Sequence, residues 1–179
     1  VTAHYINTKH DYTLKYEVKD KESLHQFAND LIKVYGLKPS WYINKSGITN
    51  KPIKFVRLRS KLAFEDLLRY STYFSANWTI NPLMLTAPLN IKKEFLKAFF
   101  DDEGSIKSKY ELGLYSINKK GLLQIRKMLM EFNINSRLQK GYGARRNVYA
   151  LIIKEFRIFK NKIGFNLIRK KNRLNEFIK

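Results

Sequence analysis

The chain has 179 residues, 44% of them hydrophobic, which is enough for a folded protein with a real core and excludes a disordered one. It carries 35 Lys and Arg against 15 Asp and Glu, a net charge of +20, and no cysteine, which excludes disulfides and thiolate metal sites. Such an excess of cations costs folding energy through self-repulsion and points to a polyanion, nucleic acid ahead of a membrane surface. No run of about 18 apolar residues is present to span a membrane. The opening VTAHYINTKHDY lacks the basic region and apolar core of a signal peptide. A cytoplasmic or organellar, nucleoid-associated location is expected, not secretion.

In chain order, VTAHYIN reads as a first strand. Leu14, Tyr16 and Val18 then alternate with Lys15, Glu17 and Lys19, which is strand periodicity. Leu24, Phe27, Ala28, Leu31 and Ile32 recur at helical spacing, and Gly36 marks the helix end. Trp41 to Lys45 and Ile53 to Arg59 form a hairpin across KSGITNKP, followed by a helix in KLAFEDLLRYS. NWTINPLMLTAP, with Pro82 and Pro88, is a connector, and Asn90 is the expected N-cap of a helix from Ile91 to Asp102.

The pattern then returns. Leu112 and Leu114 alternate on a strand, Leu122, Ile125 and Leu129 follow on a helix, and Asn133 stands where Gly36 stood. Arg137 to Lys140 and Asn147 to Ile153 form a second hairpin across GYGARR, and KEFRIFKNKIG is again helical. The copies lie roughly 97–98 residues apart, so the chain is one duplicated unit, not a solenoid. The expected division is 1–82 and 83–179, with a helix at 90–104 that has no counterpart ahead of the first copy.

That helix carries the chemistry. FLKAFFDDEG, Phe95 to Gly104, is a short apolar helix ending on three acids and a glycine. A helix C-terminus is already partly negative, so each acid there is disfavoured by roughly 0.3–1 kcal/mol. Three of them invite a cation. The plain alternative is an exposed acidic helix end before a turn at Gly104.

Phe95 to Gly104 resembles the LAGLIDADG motif of homing endonucleases. Leu96 holds its first position, Ala98 a small-residue position, Asp101 and Glu103 its two acids, and Gly104 its end; Lys97 replaces a small residue and Asp102 adds an acid. The duplicated strand and helix pattern and the closing KIGFNLIRKKNRLNEFIK are similar to the family as well. The resemblance implies a mixed α+β (α/β) fold of two pseudo-symmetric αββαββα units with antiparallel, saddle-shaped sheets. Two motif helices would pack side by side at a shared interface. It also implies a site-specific double-strand DNA endonuclease, serving intron or intein mobility, that uses Mg²⁺.

Carboxylates from two such helices would meet and repel by roughly 1–4 kcal/mol at about 4 Å, and divalent cations would relieve that. Glu103 is the expected metal ligand, Asp102 a second, Asp101 a support of the helix end, and Lys170 a basic residue near the phosphate. The second motif helix would come from a segment ahead of Val1 or from a second chain. An antiparallel sheet can enter the major groove, and Lys15, Lys19, Arg57 and Arg59 in the first half, with Arg137, Gln139, Arg145 and Arg146 in the second, lie on alternating strand positions or a hairpin tip. For any one of them a solvated strand face is the plain reading; as a group they suit duplex DNA.

Rival readings use fewer residues. A fold of this kind can lose its chemistry and persist as a DNA-binding regulator or an RNA maturase. Glu17-Val18-Lys19 with Asp11 upstream matches the Asp…Glu-x-Lys arrangement of restriction-type nucleases, which chance supplies often. His4, His10 and His25 come with no cysteine, against a zinc site. A basic structural protein, such as a ribosomal component, would bind RNA with little sequence preference.

Overall fold

The computed structural model describes residues 12–18, 20–45, 52–72, 76–108, 111–142 and 145–178. The strand expected in VTAHYIN, the tip of the first hairpin, Asp11 and Lys19 lie outside the described residues. Packing divides the chain after Arg69 into two units.

The first unit runs β1 (Thr13–Glu17), α1 (Lys21–Tyr35), β2 (Ser40–Lys45), β3 (Pro52–Arg59) and α2 (Lys61–Leu68). The Asp20 carboxylate accepts the N–H groups of Glu22 and Ser23 at 3.0 and 3.3 Å, which starts α1. Gly36, at φ 68°, ends it, with its N–H donating to the Ile32 carbonyl. Ser60 caps α2 through the Ala63 N–H. The strands form an antiparallel sheet of order β1-β3-β2. Alternation puts Leu14, Tyr16, Val56 and Leu58 on one face, where Leu24, Ala28, Leu31, Ala63 and Phe64 cover them.

The second unit contains α3 (Pro82–Leu85), α4 (Leu89–Glu103), β4 (Ser105–Ser108), β5 (Glu111–Ser116), α5 (Lys119–Met130), β6 (Ser136–Tyr142), β7 (Arg145–Ile153), α6 (Phe156–Lys162) and α7 (Ile168–Glu176). Its antiparallel sheet has the order β4-β5-β7-β6. The run β5-β7-β6 repeats β1-β3-β2 strand for strand, so the duplication read from residue patterns is a duplication of topology. Asn133, at φ 58°, takes the left-handed turn that Gly36 takes in the first unit. Leu112, Leu114, Leu151 and Ile153 line the inner sheet face, and Leu96, Phe100, Ile125, Leu129 and Phe159 close over them.

Two local expectations change. Asn90 is not the N-cap of α4: that place belongs to Pro88, whose carbonyl accepts the Ile91 and Lys92 N–H groups, so Asn90 lies inside the first turn. The connector is also more structured than a linker. It contains α3, and its Ile80 N–H donates to the side-chain oxygen of Gln124 on α5 while its carbonyl accepts the N–H of the same amide, each at 2.9 Å. Residues from Tyr70 onward accordingly pack with the second unit. Among the described residues, no helix is long and apolar enough to cross a membrane.

Candidate functional site

Leu96 and Phe100, fully buried and one turn apart, anchor α4 in the core and fix the direction of its last turn. The three acids then part company. Asp101 points inward and is 7% exposed, Asp102 is half-buried, and Glu103 is exposed. Gly104 follows because space demands it: a Cβ there would stand 2.5 Å from the Phe100 carbonyl oxygen.

The end of α4 is closed by a reciprocal lock with α7. The Asp101 carboxylate accepts the Asn166 N–H at 2.9 and 3.1 Å and the Leu167 N–H at 3.2 Å, from the two residues that lead into α7. Lys170, one turn further on, returns the favour. Its buried ammonium donates to the carbonyls of Phe100, Asp101 and Gly104 at 2.7, 2.6 and 2.6 Å, a cation at the partly negative helix end, where the Phe100 carbonyl also accepts the Gly104 N–H. Burial raises the Asp101 pKa above the ordinary carboxylate value, opposed by the Asn166 and Leu167 N–H groups and by Lys170. Burial, with Arg169 nearby, lowers Lys170 to about 8 against the pull of Asp101, Asp102 and Glu103.

This corrects one expected role. Lys170 is not placed to meet a phosphate, because it is buried and its three donors are spent on backbone carbonyls. Asp101, expected to support the helix end, has both its oxygens on backbone N–H groups. Both residues hold the backbone next to the exposed Glu103. Their pairing spans more than 60 residues of sequence, and no local pattern announces it.

Among the described residues, no three acids or histidines converge as a metal cage. The end of α4 offers the carboxylates of Glu103 and Asp102. Hard oxygen donors in that number fit Mg²⁺, which is commonly held by one or two carboxylates while water and phosphate oxygens complete its shell. They lack the cysteine and histidine ligands on which zinc sites are mainly built.

Each sheet has one face turned away from its core. In the first unit that face pairs Lys15 with Arg57 and Thr13 with Arg59 across β1 and β3, and Tyr42 with Phe55 across β2 and β3. The side chains there form a ladder of cations and rings. Lys15 lies 4.4 Å over the Phe55 ring and 2.5 Å from Glu17; Arg57 lies 4.4 Å over Tyr42 and donates to its hydroxyl at 2.8 Å. Tyr42 and Phe55 stack at 5.1 Å. The Arg57 bond, first, and a bond with Ser40 lower the Tyr42 pKa. In the second unit Arg137 and Gln139 sit opposite Ile152 and Ala150, on the face away from the core, as alternation predicts. Lys107, 3.7 Å over the Tyr115 ring, and Glu111, bonded to the Tyr115 hydroxyl, share that face. The backbone of Arg145 and Arg146 opens β7; their side chains, like Lys19, lie outside the described residues. Tyr42, Phe55, Lys107 and Tyr115 were not among the expected face residues. Counting alternate positions from Arg57 across the hairpin finds Tyr42 and Phe55; a register shift between Ile106 and Ser108 conceals Lys107.

Comparison with known proteins bears on this arrangement. Residues 90–164 match the family model of the LAGLIDADG-like domain. The homing endonuclease I-DmoI, in complex with DNA and Mn, is 19% identical with a TM-score of 0.64, over 89% of this chain and 85% of that one. I-WcaI, a homing endonuclease bound to its DNA recognition sequence, is 19% identical with a TM-score of 0.62, over 94% and 77%. Full-length DUF199/WhiA from Thermatoga maritima is 18% identical with a TM-score of 0.58, over 93% of this chain and 52% of that one. No curated protein sequence matches significantly. The matched span opens at the start of the acidic helix and closes just before the segment that locks it. Residues 90–164 are thus similar to a LAGLIDADG-like domain, and the fold of the chain is the fold of the homing endonucleases I-DmoI and I-WcaI.

Proposed function

We propose that this chain is a site-specific double-strand DNA endonuclease of the homing type, using a divalent cation, Mg²⁺ in its natural setting. The observation that carries the reading is Glu103: an exposed carboxylate at a helix end whose neighbours are locked in place. Glu103 and Asp102 would hold the cation, which when bound supplies Lewis acidity toward a phosphodiester. The chain's own residues do the rest. Lys170 and Asp101 fix the backbone that carries the acids, so little reorganisation is needed when substrate arrives.

The two outward sheet faces, one in each unit, would bind the duplex. Arg57, Arg137 and Gln139 suit guanine and adenine edges in the major groove, and Lys15 and Arg59 suit phosphates. Lys19, Arg145 and Arg146 belong to the same proposed set. A second acidic helix end, from another segment or a second chain, would complete the centre, since the described residues contribute one.

The test is cutting of a randomised duplex library with Mg²⁺, followed by recovery of the cut ends. A defined long site, cut on both strands and spared when a chelator is added, is the expected result. Binding that enriches a site with no cut ends would reject the nuclease.

A further inference from the structure

We propose that the groove between α4, α6 and α7 binds the phosphate backbone of a nucleic-acid strand, at a site separate from the sheet face. The groove, of about 390 Å³, is lined by Lys93 and Lys97 from α4, Lys160 from α6 and Lys171 from α7, with Phe165 and Asn166 between them. Three helices thus bring four lysines to one concavity that no acidic residue lines. Glu94 reaches Lys97 from outside, at 2.7 and 2.9 Å. Lys93, Lys160 and Lys171 have no ion pair among the described residues. Like charges brought together without counterions repel, so the arrangement favours an anion in the groove.

The site also accounts for Lys97, which stands where the motif has a small residue. Lys97 lines this groove, while Ala98 is exposed on another side of α4. The chemistry selects the ligand class. Ammonium groups are compact point charges that suit phosphate oxygens without reading sequence. Spread over three helices, they match successive phosphates better than one. Position separates the groove from the duplex-binding face. The helices cover the inner sheet face, against Leu151 and Ile153, whereas Arg137 and Gln139 lie on the outer one. The inference is therefore independent of whether the chain cuts DNA.

The full chain would be compared with a triple variant, Lys93→Gln, Lys160→Gln and Lys171→Gln. A control of equal charge, Lys120→Gln, Lys127→Gln and Lys154→Gln, alters exposed lysines of the same unit outside the groove. The probes are labelled single strands of about 20 nucleotides, oligo(dT) and oligo(U), long enough for a strand-binding site. Binding is read by anisotropy between about 50 and 200 mM salt. Each phosphate contact on a single strand contributes about 0.7 to the log–log salt slope, so the groove variant should lose about 2 units of slope and the control none. Which probe binds tighter tells DNA from RNA, and either answer supports the site. Equal slopes in groove variant and control, or no strand binding by the unaltered chain, would overturn it. A parallel Arg57→Gln, Arg137→Gln variant should weaken duplex binding and leave strand binding intact, so the groove and the sheet face fail separately.

Discussion

Replacing Lys170 by Met would open the lock that holds the acidic helix end. The substitution keeps most of the side-chain volume and removes three hydrogen bonds, leaving the carbonyls of Phe100, Asp101 and Gly104 without that donor and the Asp101 carboxylate without its cation. Hydrogen bonds to charged groups contribute about 1.5–3 kcal/mol each, offset by the cost of burying the ammonium. Removing one side of a buried charged arrangement costs about 3–5 kcal/mol. For a chain of this size each kcal/mol moves Tm by about 2–4 °C, so a fall on the order of 10 °C is expected. Thermal unfolding followed by circular dichroism measures it. Lys171→Met, next in sequence but exposed, is the matched control and should leave Tm within about 1 °C. Well below Tm, Lys170→Met should still bind duplex while cleavage falls, since the sheet faces are untouched and only the acids lose their support. A Tm equal to that of the control, or unimpaired cleavage, would refute the lock.

Asp101→Ala removes the acceptor for two backbone N–H groups at the start of α7 and should cost about 2–3 kcal/mol, read as a shifted urea midpoint without a change in m. Tyr42→Ala takes away the ring and hydroxyl that hold Arg57; an exposed cation–π contact contributes about 0.5–1 kcal/mol, so duplex affinity should drop about threefold, concentrated at one base pair when single-base variants of the site are compared. The pH dependence of stability has a definite sign at Lys170. Its folded pKa, about 8, lies below the ordinary 10.5, so the unfolded chain holds the extra proton between those values and this group's contribution to stability rises with pH across that window. The stability gap between the unaltered chain and Lys170→Met should widen from pH 8 to 10, and a gap that narrows would mean the carbonyls outweigh burial.

The repeat was readable because both periodicities are local. Leu112 and Leu114 alternate as Leu14 and Tyr16 do, and Asn133 occupies the turn that Gly36 marks; the order of the strands within each sheet came only with the structure. The acids of α4 were readable because carboxylates at a helix C-terminus conflict with the dipole. The groups that hold Asp101 were not. Which acid turns inward depends on the phase of the helix against Leu96 and Phe100 and on a segment more than 60 residues away that arrives with Asn166 and Lys170. The cap of α4 was misread for a smaller reason: Asn90 has the favoured side chain, but Pro88 fixes φ two residues earlier and begins the helix there. Arg57 was found by alternation; its Tyr42 partner depended on the register across a hairpin whose tip gives no clear turn length.

Glu103→Gln tests the central claim most directly, because it changes one exposed carboxylate to a neutral group of equal size and leaves the lock and both sheet faces alone. Duplex affinity and single-turnover cleavage with Mg²⁺ would be measured on the selected site. Loss of a metal-binding carboxylate predicts affinity within a few-fold of the unaltered chain and cleavage down by more than about a hundredfold. Cleavage at the unaltered rate would place the chemistry elsewhere and contradict the account.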